Sequence, residues 1–212
     1  MATPTQLPYY LRPMRMEDVD QADEIEHEAF PTLYPPTNYR KELRNRIAEY
    51  IACVQRDAEV WVQKGTKRSW TDLFRRRRPE PPEPAREELI VGFLGVWYMG
   101  GEAHIVTIAV RESHRRKGIG ELLMIGATEM ALLREQQVLT LEVRVSNVNA
   151  QHLYRKYGFK DVGVRRRYYQ DNDEDALIMS TDKLTGADHQ ALFARLKEQY
   201  TERHGIAERV YL

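Results

Sequence analysis

The stretch from Ile108 to Phe159 constrains this chain more than any other. It opens with a β-prone triplet, Ile108-Ala109-Val110, and passes through a short loop to Arg115-Arg116-Lys117-Gly118-Ile119-Gly120. An apolar helix, a second strand and a second helix ending in Tyr154-Arg155-Lys156-Tyr157-Gly158-Phe159 follow. Where a strand hands over to a helix, the first backbone N–H groups are unpaired and lie at the positive end of the helix dipole. Glycine lets a ligand approach that backbone without meeting a Cβ. Two glycines beside three cations at such a junction are therefore suited to phosphate. The segment is neither a Walker loop, since no Gly-Lys-Ser/Thr follows, nor Gly-x-Gly-x-x-Gly, since Met124-Ile125 intervene before Gly126. Alone it fits a basic helix start with tightly packing glycines equally well.

The segment beyond it alternates cleanly. Leu139, Leu141, Val143 and Val145 face one way and Thr140, Glu142 and Arg144 the other, which places Glu142 in mid-strand opposite the branched aliphatics. Ser146 and Asn147 supply a helix N-cap, and Gly158 a stop. Upstream, Leu122, Leu123, Gly126, Ala127, Met130 and Leu133 recur at helical spacing, which predicts a helix packed by one face.

Around this centre the chain reads as strand 9–13, helix 16–30, helix 38–49, strand 50–55, strand 89–97, strand 104–110, a hairpin of 162–169 with 175–180, and a terminal helix carrying Leu192, Leu196 and Tyr200. His104 reads as an ordinary strand-end residue, because no second metal-type residue stands at a suitable spacing. No metal is expected. Residues 56–88 contain Arg75-Arg76-Arg77-Arg78 and a proline-rich run, and read as a solvated, flexible excursion in preference to an RNA-binding patch.

Lysine plus arginine (32) balance aspartate plus glutamate (32), so no global field attracts nucleic acid or an anionic membrane. The single cysteine, Cys53, cannot form an internal disulfide and reads as a small buried hydrophobe. With no apolar run of membrane-spanning length and no basic-then-apolar N-terminus, the expectation is a soluble, cytoplasmic protein.

Taken together, Arg115 to Gly120, Leu141-Glu142-Val143-Arg144-Val145-Ser146-Asn147, Leu153-Tyr154, Gly158-Phe159, Arg166-Arg167-Tyr168-Tyr169 and Asp175-Ala176-Leu177-Ile178-Met179 resemble the GNAT superfamily of acetyl-CoA-dependent N-acetyltransferases, in particular its RimI-type branch. That branch acetylates the N-terminal alanine of a small-subunit ribosomal protein. The resemblance implies a mixed α/β fold, a twisted and mostly antiparallel sheet splayed at the acetyl-CoA site with helices on both faces. It implies a GNAT domain over 1–181, with the 56–88 excursion inserted and a helical appendage at 182–212. Acetyl-CoA would pair with the backbone of Ile108, Ala109 and Val110. Its pyrophosphate would sit against Arg115, Arg116, Lys117, Gly118, Ile119, Gly120 and Glu121, with Asn147 further along. Glu142 falls at the position of the general base and Tyr154 at that of the acid. Phe30, Pro31 and Tyr34, with Tyr168 and Tyr169, resemble two lips that hold a peptide N-terminus. An α-amino group has a pKa of about 7.7 to 8 against about 10.4 for lysine, so an N-terminal substrate asks little of a carboxylate base. Other readings stay open: a lysine, polyamine or small-amine acetyltransferase, or a non-catalytic acyl-CoA-sensing or RNA-binding module. Glu142 could simply pair with Arg144 or a neighbour, and Tyr154 could only pack.

Overall fold

The computed structural model describes residues 6–32, 35–62 and 85–211. Seven strands form one sheet in the order β1-β2-β3-β4-β5-β7-β6. They are β1 (Tyr9–Pro13), β2 (Ala48–Val62), β3 (Ala85–Met99), β4 (Glu102–Val110), β5 (Val138–Arg144), β6 (Phe159–Tyr169) and β7 (Glu174–Thr181). Among the described residues, five α-helices accompany them: α1 (Val19–Ala29), α2 (Tyr39–Glu42), α3 (Ile119–Leu133), α4 (Val148–Lys156) and α5 (Ala187–His204).

Every neighbouring pair of strands is antiparallel except β4 and β5, which run parallel from Glu102↔Val138 to Ile105↔Leu141 and then part. The reason lies in β4. Its register against β3 slips between Gly95↔Thr107 and Val96↔Ile105, leaving Val106 as an extra residue. Such a bulge bends the strand that carries it. The bend begins where pairing with β5 ends, so the mixed, splayed sheet expected from the sequence is what forms.

Each face of the sheet has its own apolar cluster. On one, α3 packs with β-strand residues such as Leu11, Leu94 and Leu141; on the other, Val19, Ala22 and Ile25 of α1 pack with Tyr39, Tyr50 and Phe93. α3 is not the one-faced helix that its spacing predicts: ten of its fifteen residues are buried. Phe193, Leu196 and Tyr200 of α5 belong to the same cluster. Beyond α5 the chain runs beside β1, with Leu7 N–H donating to Ile206 O (2.9 Å) and Val210 N–H to Leu11 O (2.9 Å). Glu129 of α3 accepts from Arg209 Nε (2.8 Å) and Tyr211 Oη (2.6 Å), which fastens the segment down.

Two expectations need correcting. The helix expected over 38–49 is a single turn, Tyr39–Glu42, because Ala48 and Glu49 are already paired with Trp97 and Val96 of β3. The excursion expected to be flexible over 56–88 is in part a hairpin: β2 and β3 continue pairing from Glu59↔Glu88 to Val62↔Ala85. Arg75 to Arg78 and the proline-rich run lie outside the described residues. No helix among the described residues is long and apolar enough to cross a membrane.

Candidate active site

The parting of β4 from β5 opens a cleft of about 390 Å³. Val106, Thr107 and Ile108 of β4 line one side, Leu141 to Arg144 of β5 the other, and Asn147, Ala150 and Tyr154 of α4 a third; Phe30, Pro31 and Tyr169 stand over it. Thus Ile108, Glu142, Asn147, Tyr154, Phe30, Pro31 and Tyr169, widely scattered in sequence, meet in one space. Ala109 is turned into the core on the α1 face. Tyr168 is half exposed and packs edge-on against Tyr169, 5.1 Å between ring centroids. Tyr34 lies outside the described residues.

Glu142 carries a buried, doubly held charge in the cleft. Its side chain is only 7% exposed, accepting from His104 Nε2 at 2.9 Å and pairing with Arg165 Nη2 at 3.1 Å. His104 Nδ1 in turn faces Thr140 Oγ1 at 2.8 Å. The hydrogen bond from His104 holds the Glu142 carboxyl below the ordinary glutamate range, with the Arg165 charge adding to it against the opposing effect of burial. Glu142 is therefore ionised at neutral pH and can accept a proton. Arg144, its expected alternative partner, is instead committed to Asp171 (2.9 Å) and Glu174 (3.0 Å). From the sequence His104 is expected to be an ordinary strand-end residue. Its place beside Glu142 follows from the parallel register His104↔Thr140, which puts it on the same face as Thr140 and Glu142. Periodicity within one strand cannot reveal a partner on the next.

Tyr154 comes from the last turns of α4. Asn147 starts that helix, its Oδ1 accepting from Ala150 N–H at 3.2 Å, and Gln151 ties it to the end of β5 through the carbonyls of Arg144 (3.0 Å) and Val145 (2.8 Å). Gly158 ends it with φ of 87°. Glycine makes that left-handed turn without strain. The Tyr154 ring is buried beside Phe159, and burial pushes its hydroxyl well above the usual phenol range, so it stays protonated and can donate.

The two overhanging segments are tied to each other. Thr32, after α1, hydrogen-bonds Asp171 in the β6–β7 turn, and Asp171 is held in place by Arg144. Arg144 lies 3.8 Å over the Tyr169 ring. Burial outweighs that cation and pushes the Tyr169 hydroxyl up to about 12. On the α1 side, Glu26 accepts from Tyr39 Oη (2.6 Å) and Thr37 N–H (3.0 Å), which anchors the far end of the loop.

At the other end of β4 lies the basic turn. Arg116 (φ 65°) and Gly118 (φ 82°) are both left-handed, and Gly118 caps α3. Consecutive amides in such a turn, followed by a helix N-terminus, converge on an anion. Arg115, Arg116 and Lys117 are on the surface, Gly120 is half-buried, and the Ile119 side chain is 1% exposed in the core, so only its backbone faces the turn. The Glu121 carboxylate is held by Lys156. These features, with the β4 edge from Val106 to Val110 that β5 leaves unpaired, fit an elongated ligand with an anionic end. Among the described residues, no group of histidine, cysteine, aspartate and glutamate is arranged to hold a metal ion.

Residues 19–159 match the acetyltransferase (GNAT) family model. An N-alpha-acetyltransferase of Sulfurisphaera tokodaii is 33% identical over 173 residues, covering 81% of this chain and 92% of its own. A Bacillus subtilis protein provisionally named a [ribosomal protein bS18]-alanine N-acetyltransferase is 32% identical over 170 residues, 80% of this chain and 92% of its own. The crystal structure of the Escherichia coli ribosomal-protein-S18-alanine N-acetyltransferase superimposes with a TM-score of 0.59 over 85% of this chain and 97% of that one, at 22% identity. An Elizabethkingia anophelis GNAT enzyme with acetyl-CoA bound shares the fold, with a TM-score of 0.55 over 82% of this chain and 98% of that one, at 16% identity. The splayed sheet, the basic turn and these likenesses agree: the chain is an acetyltransferase of the GNAT family.

Proposed function

We propose that this enzyme acetylates the α-amino group of a protein N-terminus, that of a ribosomal protein beginning with alanine, using acetyl-CoA. The observation that carries the reading is the pairing, in one cleft between two joined lips, of an ionised Glu142 with a protonated Tyr154. The relatives named for N-terminal acetylation support the substrate class. We assign the backbone of Ile108 to Val110 to the pantetheine arm, the turn Arg115 to Gly120 with the Glu121 amide to the pyrophosphate, and Asn147 to the cofactor beyond it. Bound there, acetyl-CoA supplies an acyl thioester.

The residues then divide the work. Glu142 takes the proton that the amine sheds on acylation, directly or through a water. Tyr154 hydrogen-bonds the departing sulfur; a thiol of pKa about 8.5 is a better acid than a phenol of about 10, so full proton transfer is not required. A carboxylate held below its usual range is a weak base, and this decides between amines. At pH 7.5 about a third of an α-amine is already neutral, against roughly one part in a thousand of a lysine. Phe30, Pro31 and Tyr169, with Tyr168 behind, close around the first residues of the peptide. A ribosomal substrate of this kind is met in the cytoplasm.

The test is acetyl transfer to a short peptide beginning with alanine, beside an N-terminally blocked peptide that retains a lysine. Transfer confined to the free N-terminus is the expected result. Equal transfer to the blocked peptide would move the assignment to lysine or polyamine chemistry.

A further inference from the structure

We infer that the C-terminal helix α5 is part of the cofactor site, with His204 acting as a positioning residue for the phosphate-binding turn; the inference rests on the acetyl-CoA reading above. α5 lies outside the span 19–159 that matches the family model. Its last residue, His204, packs directly against Gly118. A Cβ built on Gly118 would stand 2.8 Å from His204 Cε1 and 2.9 Å from Nε2, so the ring fills the space that any other residue at 118 would need. The ring is itself held from behind, its centroid 4.8 Å from that of Tyr200, which is 3% exposed in the core. One residue earlier, Arg203 approaches Glu121 (3.9 Å), the first-turn carboxylate of α3 that also binds Lys156 and the Tyr157 hydroxyl (3.5 Å). The end of α5 is thus joined to the turn at its glycine and to α3 just after it.

The physical need for such a support is clear from the backbone. The turn has left-handed residues at 116 and 118, and one of them is an arginine. That conformation is disfavoured for a residue with a Cβ, so the turn has alternatives in solution. An anion that had to order the turn on binding would lose affinity to the ordering. A flat ring seated under Gly118 removes the alternatives before the ligand arrives. His204 acts through Gly118 and need not touch the phosphates itself.

The experiment compares wild type with His204→Ala and His204→Phe. Calorimetry with CoA reads affinity without any turnover, and initial rates are taken with acetyl-CoA and with S-acetylpantetheine, a donor that lacks the pyrophosphate. For His204→Ala the Kd of CoA and the KM of acetyl-CoA should rise about tenfold, the worth of one misaligned hydrogen bond. The kcat at saturating acetyl-CoA and the rate with S-acetylpantetheine should stay within about twofold, and His204→Phe, which keeps a ring under Gly118, should restore CoA affinity. Unchanged CoA affinity in His204→Ala, equal losses with both donors, or failure of the phenylalanine to rescue would overturn the inference alone. A wild-type protein that does not bind CoA would overturn the cofactor reading and this inference with it.

Discussion

Replacing Glu142 by glutamine isolates the charge at the heart of the cleft while keeping its shape. The carboxylate receives two donors, His104 Nε2 at 2.9 Å and Arg165 Nη2 at 3.1 Å. A glutamine offers one oxygen and one NH2 in their place. His104 can adapt, donating from Nδ1 to Thr140 Oγ1, which stands 2.8 Å away, and accepting the new amide at Nε2. The fold should therefore lose only about 1 kcal/mol. Catalysis should lose far more. A positioned general base is worth about 10² to 10⁴ in rate, and the low end applies because about a third of the substrate amine is already neutral at pH 7.5. We expect kcat/KM for an alanine-starting peptide to fall about 100-fold, which corresponds to about 2.7 kcal/mol in the barrier. The pH dependence provides a second check. The rise in kcat/KM toward pH ~8 comes from the amine and should appear in both proteins. Because the Glu142 carboxyl is held below the ordinary range, it contributes no limb at neutral pH, and the variant curve should be the wild-type curve shifted down. CoA affinity should not change. A variant within about threefold of wild type, with intact CoA binding, would refute the reasoning and leave Glu142 as a strut between His104 and Arg165.

Two other substitutions probe the framework. In Gly118→Ala the added Cβ sits on a residue with φ of 82° and would lie 2.8 Å from His204 Cε1. The acetyl-CoA KM should rise about tenfold or more, and thermal stability should drop by about 2 kcal/mol; unchanged kinetics would show that the turn is not used. Glu129→Ala leaves Arg209, Tyr211 and Lys197 without their common acceptor. Chemical denaturation should register a loss of about 2 kcal/mol. Burial opposes ionisation of Glu129, but the bonds from Tyr211 and Arg209 outweigh it and hold its pKa below the ordinary value. Its contribution is therefore present above the unfolded pKa of about 4.3 and is lost as pH falls through the folded value, so the wild-type advantage over the variant should shrink only in acid. An advantage that stayed constant down to pH ~3 would contradict this account.

Much of the candidate site is legible because it is local in sequence. The turn Arg115 to Gly120, the alternation that singles out Glu142, and the Asn147 cap of the helix that carries Tyr154 each occupy one junction or one element. What escaped was set by contacts between distant segments. His104 gains its meaning from lying beside β5, and His204 from lying under Gly118, far earlier in the chain. The helix expected over 38–49 failed for the same reason: Ala48 and Glu49 are claimed by β3. Cross-strand pairing overrides local propensity. The continuation of β2 and β3 past Gln55 is likewise set by their pairing with each other, from Glu59↔Glu88 to Val62↔Ala85.

The parting of β4 from β5 also bears on the order of events. The basic turn leads into α3, which packs on one face of the sheet, and α1, which leads into Phe30 and Pro31, packs on the other, so the cleft lies between elements of both faces. Were acetyl-CoA and the amine held in it together, as proposed, neither would have to leave before the other enters, and no side chain would have to carry the acyl group between them. Cys53, the one thiol in the chain, is sealed in the core with its pKa raised by burial, consistent with a transfer made in a single passage between two molecules held at once.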